Sequence, residues 1–169
     1  MKPHLIEVYN PIIEGGDCIL ETWRKPLESI VITEPVIVTI DLDPDPEKQH
    51  HVPKEWIQSG ARPPTGDDVR HLFQDIIKSE NTDLPKAVYK NAEFRWSPSG
   101  KGLHLRMEMC GKDRFLTGWD IIEIRRRFGD DPKRLYYDAQ RGQHHCMNLG
   151  GFLNDWKHGK RAGAWIPVP

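Results

Sequence analysis

Three stretches of the chain carry the hydrophobic pattern of β-strands. Residues 36–43 (VIVTIDLD) are rich in β-branched side chains, and Pro44 and Pro46 end the run. Residues 87–96 and 103–109 read as neighbouring strands joined by the glycine-containing turn SPSGKG. Runs of this kind bounded by proline and glycine are typical of strands. The sequence therefore predicts one buried strand and, later in the chain, a pair of strands that lie side by side.

Two other stretches have the spacing of amphipathic helices. Residues 65–78 place apolar side chains three and four positions apart, which predicts a helix that Thr65 or Asp67 can cap. Residues 118–128 follow a T-x-x-D capping sequence, and Gly129 stands where a helix stop is expected. Both segments are therefore predicted to be helices that pack one face against the sheet.

The remaining segments are shorter or less regular. Residues 134–138 (RLYYD) predict a short strand, whereas the chain from Ala139 onward is mixed and rich in glycine. Residues 44–66 are polar and rich in proline, and an excursion of that length is often functional or mobile. The order strand, helix, two strands, helix, strand predicts an α+β fold with helices on one face of a mostly antiparallel sheet. The length of 169 residues suits a single domain over residues 1–169.

Composition changes this picture only slightly. Hydrophobic residues make up 37% of the chain and charged residues 29%, and no apolar run is long enough for a membrane span. No signal peptide is predicted at the N-terminus, and three cysteines without a CxxC pair argue against a disulfide framework. We therefore expect a cytoplasmic protein that does not enter a membrane.

Charge is unevenly distributed although the net charge is only −1. The first hundred residues carry −6 and the remainder carries +5. A basic C-terminal portion suits phosphates, and an acidic N-terminal portion suits a metal ion. Chance variation in the sign of solvated surfaces explains the same numbers equally well.

Two carboxylates emerge together at the end of the first predicted strand. Strand side chains alternate faces, so Thr39, Asp41 and Asp43 point the same way. Neighbouring like charges are costly to desolvate, and a hard divalent cation such as Mg²⁺ or Mn²⁺ would compensate them. A solvated acidic strand end and a DxD glycosyltransferase are the alternatives. An EF-hand is excluded, because Pro46 and Val52 stand where that loop needs glycine and glutamate.

The turn between the paired strands has the features of a phosphate cradle. Gly100 and Gly102 allow a tight turn whose N–H groups can approach an anion, and Lys101 adds a cation. In the strand that follows, His104 and Arg106 share the polar face. The turn is not a Walker P-loop, because the required glycine and Lys-Ser/Thr spacing is absent. An ordinary hairpin with a surface histidine is the alternative interpretation.

A third acid follows a basic helix end. In the segment RRRFGDDPKRLYYDAQR, Asp138 ends the predicted strand and would join Asp41 and Asp43 if the strands were neighbours. Arg141 would then lie near the same site. Asp130 and Asp131 are better explained as turn residues before Pro132. Residues 125–127 suit the C-terminal dipole of a helix, and a solvated helix end explains them as well as a functional role does.

Taken in order, these three segments resemble the motifs of the archaeo-eukaryotic primase superfamily. IVTIDLD resembles its hhhDhD strand, SGKGLH at 99–104 resembles its SGxGxH turn, and LYYD ending at Asp138 resembles its third acidic motif. The resemblance covers roughly residues 34–141. The polymerase domains of bacterial end-joining ligases also begin with a DLDP strand.

The resemblance implies a DNA primase or primase-polymerase, a template-dependent nucleotidyltransferase acting in DNA replication. It implies an RRM-like catalytic sheet flanked by an N-terminal αβ unit. Asp41, Asp43 and Asp138 would hold Mg²⁺ or Mn²⁺. Ser99, Lys101 and His104 would contact a nucleoside triphosphate. Single-stranded DNA or a primer-template would be the partner, together with a larger primase subunit, a helicase or a ligase.

Other interpretations of the same residues stay open. The chain is short for a replicative primase, so a non-catalytic nucleotide or single-strand binding module with the same fold is an alternative. A zinc site is disfavoured, because the spacing of its candidate ligands matches no established zinc pattern. Those candidates are Cys110, His144, His145 and Cys146. Four tryptophans are candidates for stacking bases, although core packing explains such residues more often: Trp96, Trp119, Trp156 and Trp165.

Overall fold

The computed structural model describes residues 22–48, 50–57, 64–80, 87–142 and 149–169. Over these residues the protein is mixed α and β, with antiparallel sheets. The strands are β1 (Val31–Ile32), β2 (Val36–Leu42), β3 (Ala87–Trp96), β4 (Leu103–Gly111), β5 (Leu116–Thr117), β6 (Trp156–Lys157), β7 (Lys160–Arg161) and β8 (Ile166–Pro167). The helices are α1 (Arg24–Glu28), α2 (Lys54–Ile57), α3 (Gly66–Glu80), α4 (Gly118–Arg127) and α5 (Pro132–Gly142).

The main sheet has the strand order β2-β4-β3-β8, and every neighbouring pair is antiparallel. Three of the four strands predicted from the sequence are confirmed, and β4 lies between the other two. This register sets Asp41 directly opposite His104, and His104 opposite Arg95 on the other side of β4. Residues distant in the chain thus become neighbours on one face.

Alternation along β2 and β4 separates an apolar face from a polar face, as predicted. The apolar face is fully covered and belongs to the main core, which includes Val38, Ile40, Leu42, Leu103, Leu105, Met107 and Met109. An aromatic cluster joins the sheet to the helices, because Phe73 of α3 lies 5.7 Å from Tyr89 and 5.5 Å from Phe128, measured between ring centroids. Helices therefore pack on the apolar face, and this mixture of helices and antiparallel strands is compatible with the predicted α+β fold.

Both amphipathic helices form where the pattern predicts them. Helix α4 begins with a capping box, in which the Thr117 side chain accepts from the Asp120 N–H and the Asp120 carboxylate accepts from the Thr117 N–H. Gly129 ends the turn after the helix with φ of +90°, a conformation that glycine adopts without strain. These local signals were sufficient to predict the helix, because each provides hydrogen-bond partners for backbone groups at a helix end within a few residues.

The prediction of a strand over residues 134–138 is wrong, because these residues lie inside α5. Asp131 Oδ1 accepts from the Lys133 N–H at 2.9 Å, and Pro132 occupies the first helical position, where its missing N–H costs nothing. The buried residues then recur at helical spacing: Leu135, Tyr136, Asp138, Ala139 and Gly142. A five-residue aromatic run was too short to distinguish the two periods.

Other predictions fall partly on described residues. The long excursion contains a turn at Pro46 and the short helix α2, and residues 49 and 58–63 lie outside the described residues. The resemblance sets no bounds for the N-terminal αβ unit, and residues 1–21 of that end of the chain also lie outside the described residues. None of the helices among the described residues has the length and apolar character that crossing a bilayer requires.

Candidate functional site

Asp41 and His104 form the centre of the polar face. The two residues are paired across β2 and β4, and His104 Nε2 lies 3.7 Å from Asp41 Oδ1. The His104 side chain is 5% exposed and the Asp41 side chain 26% exposed. The sequence predicted that each lies on the polar face of its own strand, and the sheet register makes them direct neighbours.

Asp41 is an unusual carboxylate because it is largely buried among other acids. Its pKa is raised from 3.8 to about 6, chiefly by burial; the charge of Arg134 opposes the increase, and the charges of Asp130, Asp43 and Asp131 contribute to it. A group that resists ionisation in this way gains most from a nearby cation. The electrostatics of the strand end therefore favour a positively charged ligand.

His104 is a neutral hydrogen-bond donor at neutral pH. Burial lowers its pKa to about 4, and the charges of Arg95 and Arg134 act in the same direction. Its Nδ1 atom accepts from Arg95 Nε at 3.1 Å, so the single ring proton resides on Nε2. The Nε2–H group faces the Asp41 side, and the contact with Asp41 is not an ion pair at pH 7. An oxyanion entering here would find an N–H donor.

The glycine turn is held together by hydrogen bonds from its own N–H groups to a backbone carbonyl and to two serine hydroxyls. The Gly100 N–H donates to Ser97 O at 2.9 Å, and the Gly102 N–H donates to Ser97 Oγ at 3.1 Å. The Lys101 N–H donates to Ser99 Oγ at 3.3 Å. These three N–H groups are therefore already used, contrary to the predicted role of the turn in presenting them to an anion. Any phosphate contact from the turn has to come from the Lys101 ammonium and the Ser99 hydroxyl.

Glycine at position 102 keeps this turn against the end of β2. A Cβ atom there would lie 3.1 Å from Ser97 Oγ and 3.3 Å from Leu42 O, tighter than ordinary packing contacts. Gly100 adopts φ of +73° at the exposed apex, where a side chain would be strained. The two glycines thus place the turn next to the Asp41–Asp43 strand end.

These elements enclose a cleft of about 720 Å³. Acids line part of its wall: Asp41, Asp43 and Asp131. Polar and basic side chains line the rest: Ser97, Ser99, Lys101, His104, Arg134, Lys157, His158 and Lys160. The predicted residues Asp41, Asp43, Ser99, Lys101 and His104 therefore meet in one place, although they come from two separate segments.

Asp138 is not among the residues that line this cleft. Its carboxylate lies 2.8 Å from the guanidinium of Arg125, which is fully buried and also binds Asp130 at 2.8 Å. Because α5 is a helix, it directs Asp138 toward α4. The structure thus gives Asp138 the role of neutralising a buried arginine.

Two predicted arginines are also engaged elsewhere. Arg106 binds Glu93 at 3.0 Å and stacks on Trp165, with its guanidinium carbon 4.0 Å from the ring centroid. Arg141 lies 3.4 Å from Asp138 on α5. Neither residue lines the cleft, and neither does Gly100 at the turn apex.

Arg134 is a cleft residue that the sequence did not predict. Its guanidinium donates to Thr39 Oγ1 at 2.7 Å and forms an ion pair with Asp130, whose Oδ1 atom also accepts from the Asp41 N–H at 2.9 Å. Arg134 thereby ties the start of α5 to β2. The available signal was the Asp-Asp-Pro sequence, which is typical of a helix start.

The carboxylates fit a partly built metal site. No group of three or more His, Cys, Asp or Glu side chains suited to holding a metal occurs among the described residues. Mg²⁺, however, is often held by one or two carboxylates together with waters and substrate phosphates. Asp41 and Asp43 match that description, although Lys48 Nζ lies 2.7 Å from Asp43 Oδ2 and would have to move or share the carboxylate. The disfavoured zinc ligands His144, His145 and Cys146 lie outside the described residues.

Comparison with protein-family models, with curated proteins and with solved structures gives no match. The primase resemblance therefore stays a prediction, and the interpretation of the cleft depends on its own residues.

Proposed function

We propose that this protein is a nucleotidyltransferase of the archaeo-eukaryotic primase type. One observation carries the proposal: Asp41, Asp43, His104 and the glycine turn converge on one cleft, which matches the first two motifs of the sequence resemblance but not the third, Asp138. The four-stranded antiparallel sheet with helices on one face is compatible with the RRM-like sheet that the resemblance predicts.

Asp41 and Asp43 are the proposed ligands of Mg²⁺ or Mn²⁺. Such an ion would neutralise the two carboxylates and supply electrostatic stabilisation to the reacting phosphate. Without a cation these acids repel a triphosphate. We therefore expect nucleotide binding to require the divalent ion.

His104, Lys101 and Ser99 are the proposed contacts of the triphosphate. The His104 Nε2–H is fixed in its tautomer by Arg95, so it can donate to a phosphate oxygen without prior proton uptake. Lys101 contributes a mobile positive charge from the exposed turn. The proposal leaves Asp138, Arg106 and Arg141 with structural roles.

A direct test is nucleotide incorporation on single-stranded and primed DNA templates, with Mn²⁺ and either dNTPs or NTPs. Asp41→Asn and Asp43→Asn should abolish incorporation. Asp45→Asn is the matched control, because Asp45 is an exposed acid in the same segment and does not line the cleft. Incorporation by Asp41→Asn and Asp43→Asn at the level of the control would refute the proposal.

A non-catalytic nucleotide-binding module is the second candidate. It is favoured by the position of Asp138, because one of the three acids that the resemblance requires is absent from the cleft. Equilibrium dialysis with a labelled nucleotide separates the candidates. Mn²⁺-dependent binding without incorporation on any template, by a folded protein, would favour the module over the enzyme.

The proposal also includes the setting and the partners expected from the sequence. These are a reducing cytoplasm, single-stranded DNA or a primer-template, and a larger replication or end-joining assembly.

A further inference from the structure

A small hairpin projects beside the cleft and is not used by the proposed chemistry. It consists of β6 and β7, with Trp156 opposite Arg161 and Lys157 opposite Lys160. Its turn, residues 158–159, has φ of +52° and +74°, the backbone of a two-residue hairpin turn that matches strand twist. All its side chains are exposed.

The hairpin carries only aromatic and basic chemistry. No acidic residue follows Asp155 in the sequence, whereas residues 156–161 contain two lysines, an arginine and a histidine. Lys157 and Lys160 face each other, and like charges in that position destabilise a hairpin. A bound polyanion would relieve this repulsion.

The base of the hairpin is fixed to the main sheet. Asp155 Oδ1 binds the Arg95 guanidinium at 2.7 Å, and the Gly163 N–H donates to Trp96 O at 3.0 Å. Arg95 is the same residue that donates to His104 Nδ1. The position of the hairpin relative to the cleft is therefore set by the residue that orients the proposed phosphate ligand.

The two faces of the hairpin meet different surroundings. Lys157 and Lys160 line the cleft, whereas Trp156 and Arg161 do not. The Trp156 side chain is 55% exposed, and the Arg161 guanidinium carbon lies 5.0 Å from its ring centroid. Phe152, 72% exposed, stands at the cleft a few residues earlier. The hairpin thus joins a cationic wall inside the cleft to an aromatic platform outside it.

We propose that the hairpin, residues 156–161, is the docking site for single-stranded nucleic acid that runs to the cleft. Bases stack on Trp156, and the backbone phosphates contact Lys157, Lys160 and Arg161. Lys157 and Lys160 line the cleft whereas Trp156 and Arg161 lie outside it, so a ligand that contacts both faces of the hairpin has to extend beyond the cleft, as a strand of several nucleotides does. A duplex hides its base faces, so the exposed indole favours a single strand. This inference deepens the proposed function and rests on it for the identity of the strand as template or primer.

The test is fluorescence anisotropy of a labelled oligothymidylate, without metal or nucleotide, at two salt concentrations. Trp156→Ala should weaken binding by about tenfold or more, the usual effect of losing one base-stacking side chain. Lys157→Ala combined with Lys160→Ala should weaken binding and reduce the dependence of log K on log salt by about 1–2. The matched control is Phe115→Ala, because Phe115 is 60% exposed and follows the far end of β4.

Several outcomes would overturn the inference. These are wild-type protein that does not bind the oligonucleotide, a Trp156→Ala variant that binds like the control, or equal binding of a duplex of the same length. Circular dichroism verifies that the variants fold, which is expected because the substituted side chains are exposed.

The design separates this inference from the proposed function. If incorporation requires Asp41 but the hairpin variants bind and extend normally, the hairpin inference fails and the enzyme proposal stands. If the hairpin variants lose strand binding while the wild type incorporates no nucleotide, the hairpin inference stands and the enzyme proposal fails.

Discussion

Replacing Asp41 by asparagine removes a buried negative charge and retains a side chain of nearly the same shape. The folded protein raises the pKa of this carboxyl from 3.8 to about 6, mainly because burial disfavours the charged form. The unfolded chain releases the proton near pH 4, whereas the folded chain retains it until about pH 6. The protonation of Asp41 therefore contributes fully to the free energy of unfolding below pH 4, and this contribution is lost as the pH rises to about 6.

The magnitude follows from that pKa difference. At 1.36 kcal/mol per pKa unit, ionising Asp41 costs the folded state about 3 kcal/mol at pH 7. Asp41→Asn should therefore raise the free energy of unfolding by about 3 kcal/mol at pH 7 and by little at pH 4. For a chain of this length, that corresponds to an increase in Tm of about 6–12 °C.

Thermal and denaturant unfolding, followed by circular dichroism with and without Mn²⁺, measures both the stability gained by Asp41→Asn and the stabilisation by the metal. A cation that binds only the folded protein at about 100 times its Kd stabilises it by about 2.7 kcal/mol. Mn²⁺ should therefore stabilise the wild type and Asp45→Asn, but not Asp41→Asn. The metal would compensate in the wild type for the same charge that the substitution removes.

If Asp41→Asn is no more stable than Asp45→Asn at pH 7, the ionised Asp41 carboxylate does not destabilise the folded protein as its raised pKa requires. The metal assignment is wrong if Mn²⁺ shifts the unfolding of Asp41→Asn as much as that of the wild type. The two results are independent, so the electrostatic argument and the metal assignment can fail separately.

Three further predictions concern other parts of the structure. His104 has its pKa lowered to about 4, so its contribution to stability is lost as the pH falls from 6.5 to 4, by up to about 3 kcal/mol. In the wild type, the titration of Asp41 opposes that of His104 over this pH range, so the effect of His104 is measured in the Asp41→Asn variant. Adding His104→Gln to that variant should make its free energy of unfolding nearly independent of pH between 4 and 6.5. An unchanged slope would contradict the lowered pKa of His104. Asp138→Asn should cost about 3 kcal/mol in urea unfolding, because it weakens a buried ion pair, and should leave the Mn²⁺ shift intact; loss of that shift would return Asp138 to the metal site. Thr117→Ala should cost about 1 kcal/mol by removing the α4 cap, and an unchanged denaturation midpoint would argue against the capping box.

The sequence was a reliable guide where a local pattern fixed the structure. Alternation along residues 36–42 placed Asp41 on the polar side of a buried strand, because the opposite positions are all apolar. The helix after Thr117 was predictable for a similar reason, since its cap lies within four residues of chain. Patterns of this kind need no knowledge of what packs against them.

Prediction from the sequence failed where the structure of a short segment depended on the elements packed against it. RLYYD has aromatic residues that suit a strand, and only packing against α4 shows that its buried positions recur at helical spacing. The metal-binding role predicted for Asp138 depended on the same mistaken strand. In the helix, Asp138 contacts Arg125, which lies on another helix and is completely buried.

The sequence by itself determined three strands of the main sheet, the glycine turn and the residue types from which a phosphate and metal site is proposed. Tertiary structure alone decided which of those residues share a cleft, because antiparallel pairing sets Asp41 against His104 and the helical form of α5 brings Arg134 in while turning Asp138 away. Local propensity acts over a few residues, whereas the convergence of charged side chains depends on strand register and helix packing between distant segments.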